Sequence, residues 1–256
     1  MAAAILMSAA GTAGAQDWQF ALTPYLWLPN IEGHGATQRP PDGGEPAFEI
    51  GPVDYLEHLD FVLMIAGEAR RDKWSLRSDV VYVDFGNQRS AVRSVSGPGG
   101  VVEIPVNADT TSSFTGLKAQ ATFGYRFVDQ PLRFVEIYGG LRYLDISFNL
   151  DWQLEAPISL LPQAGHIKQG AQPLDVIVGG NARFAFGDGN WFAPLQADVG
   201  TGSSSLTWQL TAGVGYSFSW GDVQVAYRHL GYEDDQGELL ERLALSGPAV
   251  GASFRF

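Results

Sequence analysis

The segment 205–218, SLTWQLTAGVGYSF, alternates without a break. Leu206, Trp208, Leu210, Ala212, Val214, Tyr216 and Phe218 share one parity; Ser205, Thr207, Gln209, Thr211, Gly213, Gly215 and Ser217 share the other. Period two over such a length predicts a β-strand with one apolar and one polar face. The same test along the chain predicts ten strands, near residues 18–31, 61–70, 74–85, 110–127, 133–150, 173–186, 191–199, 205–218, 223–232 and 239–256. Their connections fall into two classes. Those at 71–73, 128–132, 187–190 and 219–222 are tight, and those at 33–60, 86–109, 151–172, 200–204 and 233–238 are mostly longer. Short and long connections in alternation, with an even strand count, predict an all-β, antiparallel, up-and-down transmembrane barrel with short periplasmic turns and longer extracellular loops. Within the first long connection, PVDYLEHLDF (52–61) has the spacing for one helical turn carrying Val53, Leu56 and Leu59, or for an ordinary loop turn; whether it plugs the barrel is open.

Alternation alone leaves open whether the apolar face meets a core or lipid. The aromatics decide for lipid. Trp18, Phe20, Trp74, Phe123, Tyr125, Phe127, Phe134, Phe184, Phe186, Trp191, Tyr216, Phe218, Trp220 and Phe254 lie beside the short turns, with a sparser set, Tyr82, Tyr143, Phe148, Trp208 and Tyr227, toward the other ends. Two aromatic belts are expected where amphipathic rings rest at both membrane interfaces. The opposite parity carries Glu68, Arg70, Arg77, Asp79, Lys118, Arg126, Glu136, Arg142, Arg183, Asp198 and Arg228, interleaved with Gly116, Gly124, Gly140, Gly213 and Gly215. Opposed charges and glycines suit the narrow lumen of a ten-stranded barrel, which has room for little beyond its own side chains. A soluble, lipocalin-like barrel is the rival, and it would turn Leu206, Trp208 and Leu210 inward.

Composition sharpens this picture. Charged residues make up 17% of the chain, against about 25% in soluble domains. A net charge of −12 disfavours nucleic acid as a partner. The absence of cysteine excludes disulfides and thiolate sites. The N-terminal run MAAAILMSAAGTAGAQ ends in Ala13-Gly14-Ala15, a small-residue cleavage pattern without the usual basic start. Residues 1–15 are therefore expected to be a signal peptide and 16–256 a single barrel domain.

Catalytic and metal motifs are sparse. His34, His58 and His166 fall in the expected outer loops, and His229 lies near the acidic stretch YEDDQGE (232–238), which has oxygen ligands for loose Ca²⁺ binding but not the spacing of an EF-hand loop. Gly213-Val214-Gly215 precedes no helix and is not a nucleotide loop. No catalytic residue, metal site or cofactor is expected.

The C-terminal AVGASFRF keeps Val250, Ala252, Phe254 and Phe256 on one parity and ends in an aromatic residue. It resembles the sorting signal of Gram-negative outer-membrane barrels, which implies recognition by the barrel-assembly machinery through Phe256. PYLWLPNIEG (24–33), DYLEHLDF (54–61) and GEARRDKWSLRSDVVYVDF (67–85) resemble the N-terminal third of a group of small proteobacterial outer-membrane proteins of unestablished function. That implies a location, not an activity. The expected strand number is similar to that of the omptin proteases, but their Asp-x-His element is missing; the H-x-S element of outer-membrane lipid A deacylases is missing too, since Leu230 and Gly231 follow His229.

The expectation is thus an integral protein of a Gram-negative outer membrane, monomeric, touching lipid and lipopolysaccharide, with a structural or surface-interaction role and a lumen largely filled by side chains. The alternatives are a narrow pore for ions or very small solutes and a rim enzyme acting on lipid A or peptide.

Overall fold

The computed structural model describes residues 18–34, 47–56, 59–96, 103–130, 133–155, 164–234 and 242–256. Its elements are β1 (Trp18–Trp27), β2 (Asn30–His34), β3 (Ala47–Ile50), α1 (Pro52–Leu56), β4 (Leu59–Arg71), β5 (Trp74–Ser96), β6 (Glu103–Gln130), β7 (Arg133–Glu155), β8 (Ala164–Ala171), β9 (Leu174–Phe186), β10 (Trp191–Gly202), β11 (Leu206–Ser217), β12 (Gly221–Glu233) and β13 (Arg242–Arg255). Ten of the strands close a ring in the order β1, β4, β5, β6, β7, β9, β10, β11, β12, β13 and back to β1, each pair antiparallel. Closure leaves no sheet edge in the membrane, where an unpaired N–H or C=O would cost several kcal/mol. β2 prolongs the first barrel strand beyond a break at Leu28 and Pro29 and stays paired to β13, β3 folds back on β2, and β8 pairs with the outer part of β7.

Turn chemistry fixes the short connections. Asp72, with φ of 54°, forms the turn from β4 to β5, and Gly187 and Gly189, with φ of 60° and 87°, serve the turn from β9 to β10. Glycine and aspartate tolerate the left-handed region that these reversals need. The ladder between β10 and β11 lapses between Phe192 and Leu195, where Pro194 has no amide hydrogen to give.

Two long connections differ from the sequence expectation. Residues 86–109 and 151–172 are largely strand, because β5, β6, β7 and β8 continue past the membrane as a paired sheet. The polar composition that reads as loop is simply a strand in water, where neither face has to be apolar. Pro52–Leu56 does form a helical turn, but Val53 is 81% exposed and Leu56 is exposed as well, while Leu59, anticipated on the same side, begins β4.

The lipid question is settled by burial. In β11, Leu210 and Val214 are exposed, whereas Thr207 and Gln209 are buried. The apolar parity therefore faces outward, and the calyx of a soluble barrel is excluded. Refolded into detergent, the chain is expected to stay compact in SDS and to change gel mobility only on boiling. A protein with unchanged mobility and solubility without detergent would contradict this orientation.

Candidate functional site

The lumen is built in layers by the inward parity of each strand. Nearest the short turns, β4 contributes Glu68 and Arg70, β5 Arg77, β6 Arg126, and β7 Phe134 and Glu136. Arg126 reaches Glu68 at 2.7 Å and Glu136 at 3.3 Å; Arg77 reaches the same two carboxylates, each at 3.2 Å. Arg70 and Arg126 both approach Asp129. The Arg126 guanidinium lies 4.0 Å over the ring of Phe134. Phe134, expected in the outer girdle, thus belongs to the lumen: it is two residues from Glu136 and shares its parity.

On the facing wall Arg183 binds Asp222 at 2.7 Å and Ser217 at 2.6 Å and stacks 3.5 Å over the Phe192 ring. Arg255 pairs with the same Asp222. Gly215 sits opposite Phe192, and a Cβ at this position would meet the ring, so the absent side chain is what lets the ring lie flat across the wall.

Deeper in the barrel, Asp79 accepts hydrogen bonds from Lys118 Nζ (2.5 Å), Arg228 (2.7 Å) and the Tyr25 hydroxyl (2.5 Å). Arg228 also donates to Gln209 and stacks 4.7 Å over Trp27. Beside this group Arg142, fully buried, donates to Asp198 (2.6 Å), Gln120 (3.0 Å) and Thr207 (3.1 Å), and Tyr138 donates to Asp198 at 2.8 Å. Burying such charges is tolerable only because each is paired and its remaining hydrogen-bonding capacity is largely met.

All eleven charged residues singled out by parity are found on the lumen side, joined in these clusters. Several partners were not legible. Tyr25, Tyr138 and Phe192 read as apolar, although parity with Arg142 and Glu136 places Tyr138 inward. Asp222 looks like a turn residue, and Asp175, which is fully buried and accepts from the Ser204 amide at 2.8 Å, falls near the start of its strand.

The sequence also gave no hint of how the outer half closes. Trp27, Met64, Val81, Leu144, Leu230, Tyr232 and Leu243 form a buried apolar cluster on the inward parity above the charges. Around Trp27, Met64 and Val81 both parities are apolar, so alternation fades and the residues read as ordinary strand ends. Below the layer, a cavity of about 1160 Å³ opens toward the short turns, lined by residues from Tyr25, Asp79 and Arg228 down to Gln130, Gly189 and Arg255. The outer half of the lumen thus holds this buried layer, and the inner half holds the cavity.

At the rim, the predicted aromatics face outward. Trp18, Phe20, Trp74, Phe123, Phe127, Phe184, Phe186, Trp191, Phe218, Trp220 and Phe254 are exposed, and Tyr125 and Tyr216 half-exposed. Neighbouring rings touch in a chain from Trp191 through Tyr216, Phe218 and Trp220 to Phe254. His229 lies on the outer face, stacked 4.4 Å from Trp208. Tyr232 ends its expected strand, and Glu233, expected in the connection 233–238, is in β12 as well. Tyr232 points into the apolar layer, and Glu233 pairs with Arg242 at 3.5 Å. His58, residues 235–238 and residues 1–15 lie outside the described residues.

A closed, even-stranded barrel with an apolar exterior, an aromatic rim and a charged lumen is the architecture of bacterial outer-membrane proteins, and the chain is an integral outer-membrane β-barrel. No family model and no curated protein matches it. Among solved structures it is similar to the outer-membrane protease OmpT of Escherichia coli, at 9% identity and a TM-score of 0.49 over 96% of this chain and 99% of that one. It is also similar to the translocator domain of the autotransporter NalP of Neisseria meningitidis, at 12% and 0.44 over 97% and 90%. A third likeness is to Ail, the attachment invasion locus protein of Yersinia pestis, at 10% and 0.35 over 94% and 100%. Likenesses this distant carry no argument about activity; the class rests on the barrel's own geometry.

Proposed function

We propose that this protein is a non-conducting outer-membrane barrel with a structural or surface-interaction role. The observation that carries the reading is the buried apolar cluster in the outer half of the lumen, where Trp27, Leu230, Tyr232 and Leu243 lie above charge clusters in which Arg142 and Glu136 have no exposed surface. An ion on this route would have to displace a packed apolar layer and then break paired charges. Outside the membrane, the paired continuation of β5 to β8 supplies a surface for contact with lipopolysaccharide or another cell. The outward Phe254 and the terminal Phe256 fit the role of assembly signal.

Planar-bilayer recording of the refolded barrel tests this. No discrete conductance steps are expected at any applied voltage. Reproducible steps would overturn the reading in favour of the narrow pore.

A further inference from the structure

The hollow inner half of the lumen differs in charge from the rest of the molecule. The chain carries a net charge of −12, yet six arginine side chains and only four carboxylate side chains line the cavity. We propose that this chamber is a binding vestibule for small polar oxyanions, solutes bearing phosphate or carboxylate groups that reach it from the periplasm.

Three features converge on this. The volume, about 1160 Å³, is sufficient for a small solute with its hydration, since ligand pockets run from about 300 to 1,000 Å³. The cations outnumber their partners where it matters: Asp222 is shared by Arg183 and Arg255, and Asp79 by Arg228 and Lys118. Two guanidiniums are fixed by stacking, Arg126 on Phe134 and Arg183 on Phe192, so little ordering is left for a ligand to impose.

A cation would fare worse, because each lining carboxylate is already in contact with two cationic side chains. The cavity opens toward the short turns, and low-dielectric walls focus the field of the arginines there. Oxyanions match guanidinium geometry better than halides do, through paired N–H donors.

The lack of cysteine in the chain makes the test clean. Ser253 lines the cavity, and Ser253→Cys places a single thiol there; Gln224→Cys, on the same wall, serves if the first variant loses its heat-modifiable mobility. The anionic sulfonatoethyl methanethiosulfonate is expected to react about tenfold faster than its trimethylammonium analogue, each rate normalised to a free thiol. Pyrophosphate or citrate at matched ionic strength is expected to slow the labelling, and whichever protects identifies the phosphate or the carboxylate class. Adding Arg70→Gln and Arg255→Gln is expected to bring the ratio toward one. A ratio at or below one, no protection by either anion, or a ratio unmoved by loss of the two arginines would overturn the proposal.

Discussion

Arg142→Met is expected to destabilise the folded barrel by about 3–5 kcal/mol, the cost of leaving a buried charge without its partner. Arg142 has no exposed surface and holds Asp198, Gln120 and Thr207 together across strands β6, β7, β10 and β11. Without it, Asp198 is left, among the described residues, with the neutral Tyr138 hydroxyl as its side-chain donor. A urea titration in detergent, followed by tryptophan fluorescence, measures the loss. The double variant Arg142→Met with Asp198→Leu is expected to recover most of it, since removing both charges removes the desolvation burden along with the attraction. Equal losses in the single and double variants would mean that packing, rather than charge pairing, holds this layer.

Val178→Arg carries the second large effect. Val178 lies near the middle of β9, 62% exposed on the outer face, so the substitution places a guanidinium in hydrocarbon at a cost of about 2–4 kcal/mol. Thr211→Arg is the control, because Thr211 lines the polar chamber instead of the lipid face. The same titration is expected to show a clearly smaller change there. A larger penalty at Thr211 than at Val178 would reverse the assignment of inside and outside.

Much of this architecture is written in the period of the sequence. Fourteen alternating residues around Trp208 suffice to separate the faces of β11, and the same parity brings Glu68, Arg126 and Glu136 into one cluster from three strands. Parity fails where polarity stops alternating. Met64 and Val81 face inward while Leu63, Ile65, Val80 and Tyr82 on the other face are apolar too, so this part of the buried layer leaves no periodic trace. The outer parts of β5 and β6 fail for the opposite reason: in water both faces are polar, and Gln88 to Ser96 reads as loop although it is paired to residues 103–112. Phe134 shows the remaining limit, since an aromatic beside a turn looks like a lipid anchor until the arginine stacked on it is seen.

The join between β1 and β13 has a consequence for how the cylinder is made. Its ladder pairs Ala21, Leu22 and Tyr25 to Trp27 but lapses at Thr23 and Pro24, where the Thr23 hydroxyl reaches Ser253 at 2.9 Å instead. The two strands come from opposite ends of the chain, so this line zips only after every other hairpin has been synthesised and laid down. Because β2 carries the same seam outward along β13, the last line to zip also ties the outer extension of the first strand to the wall, a final stitch that runs past the membrane.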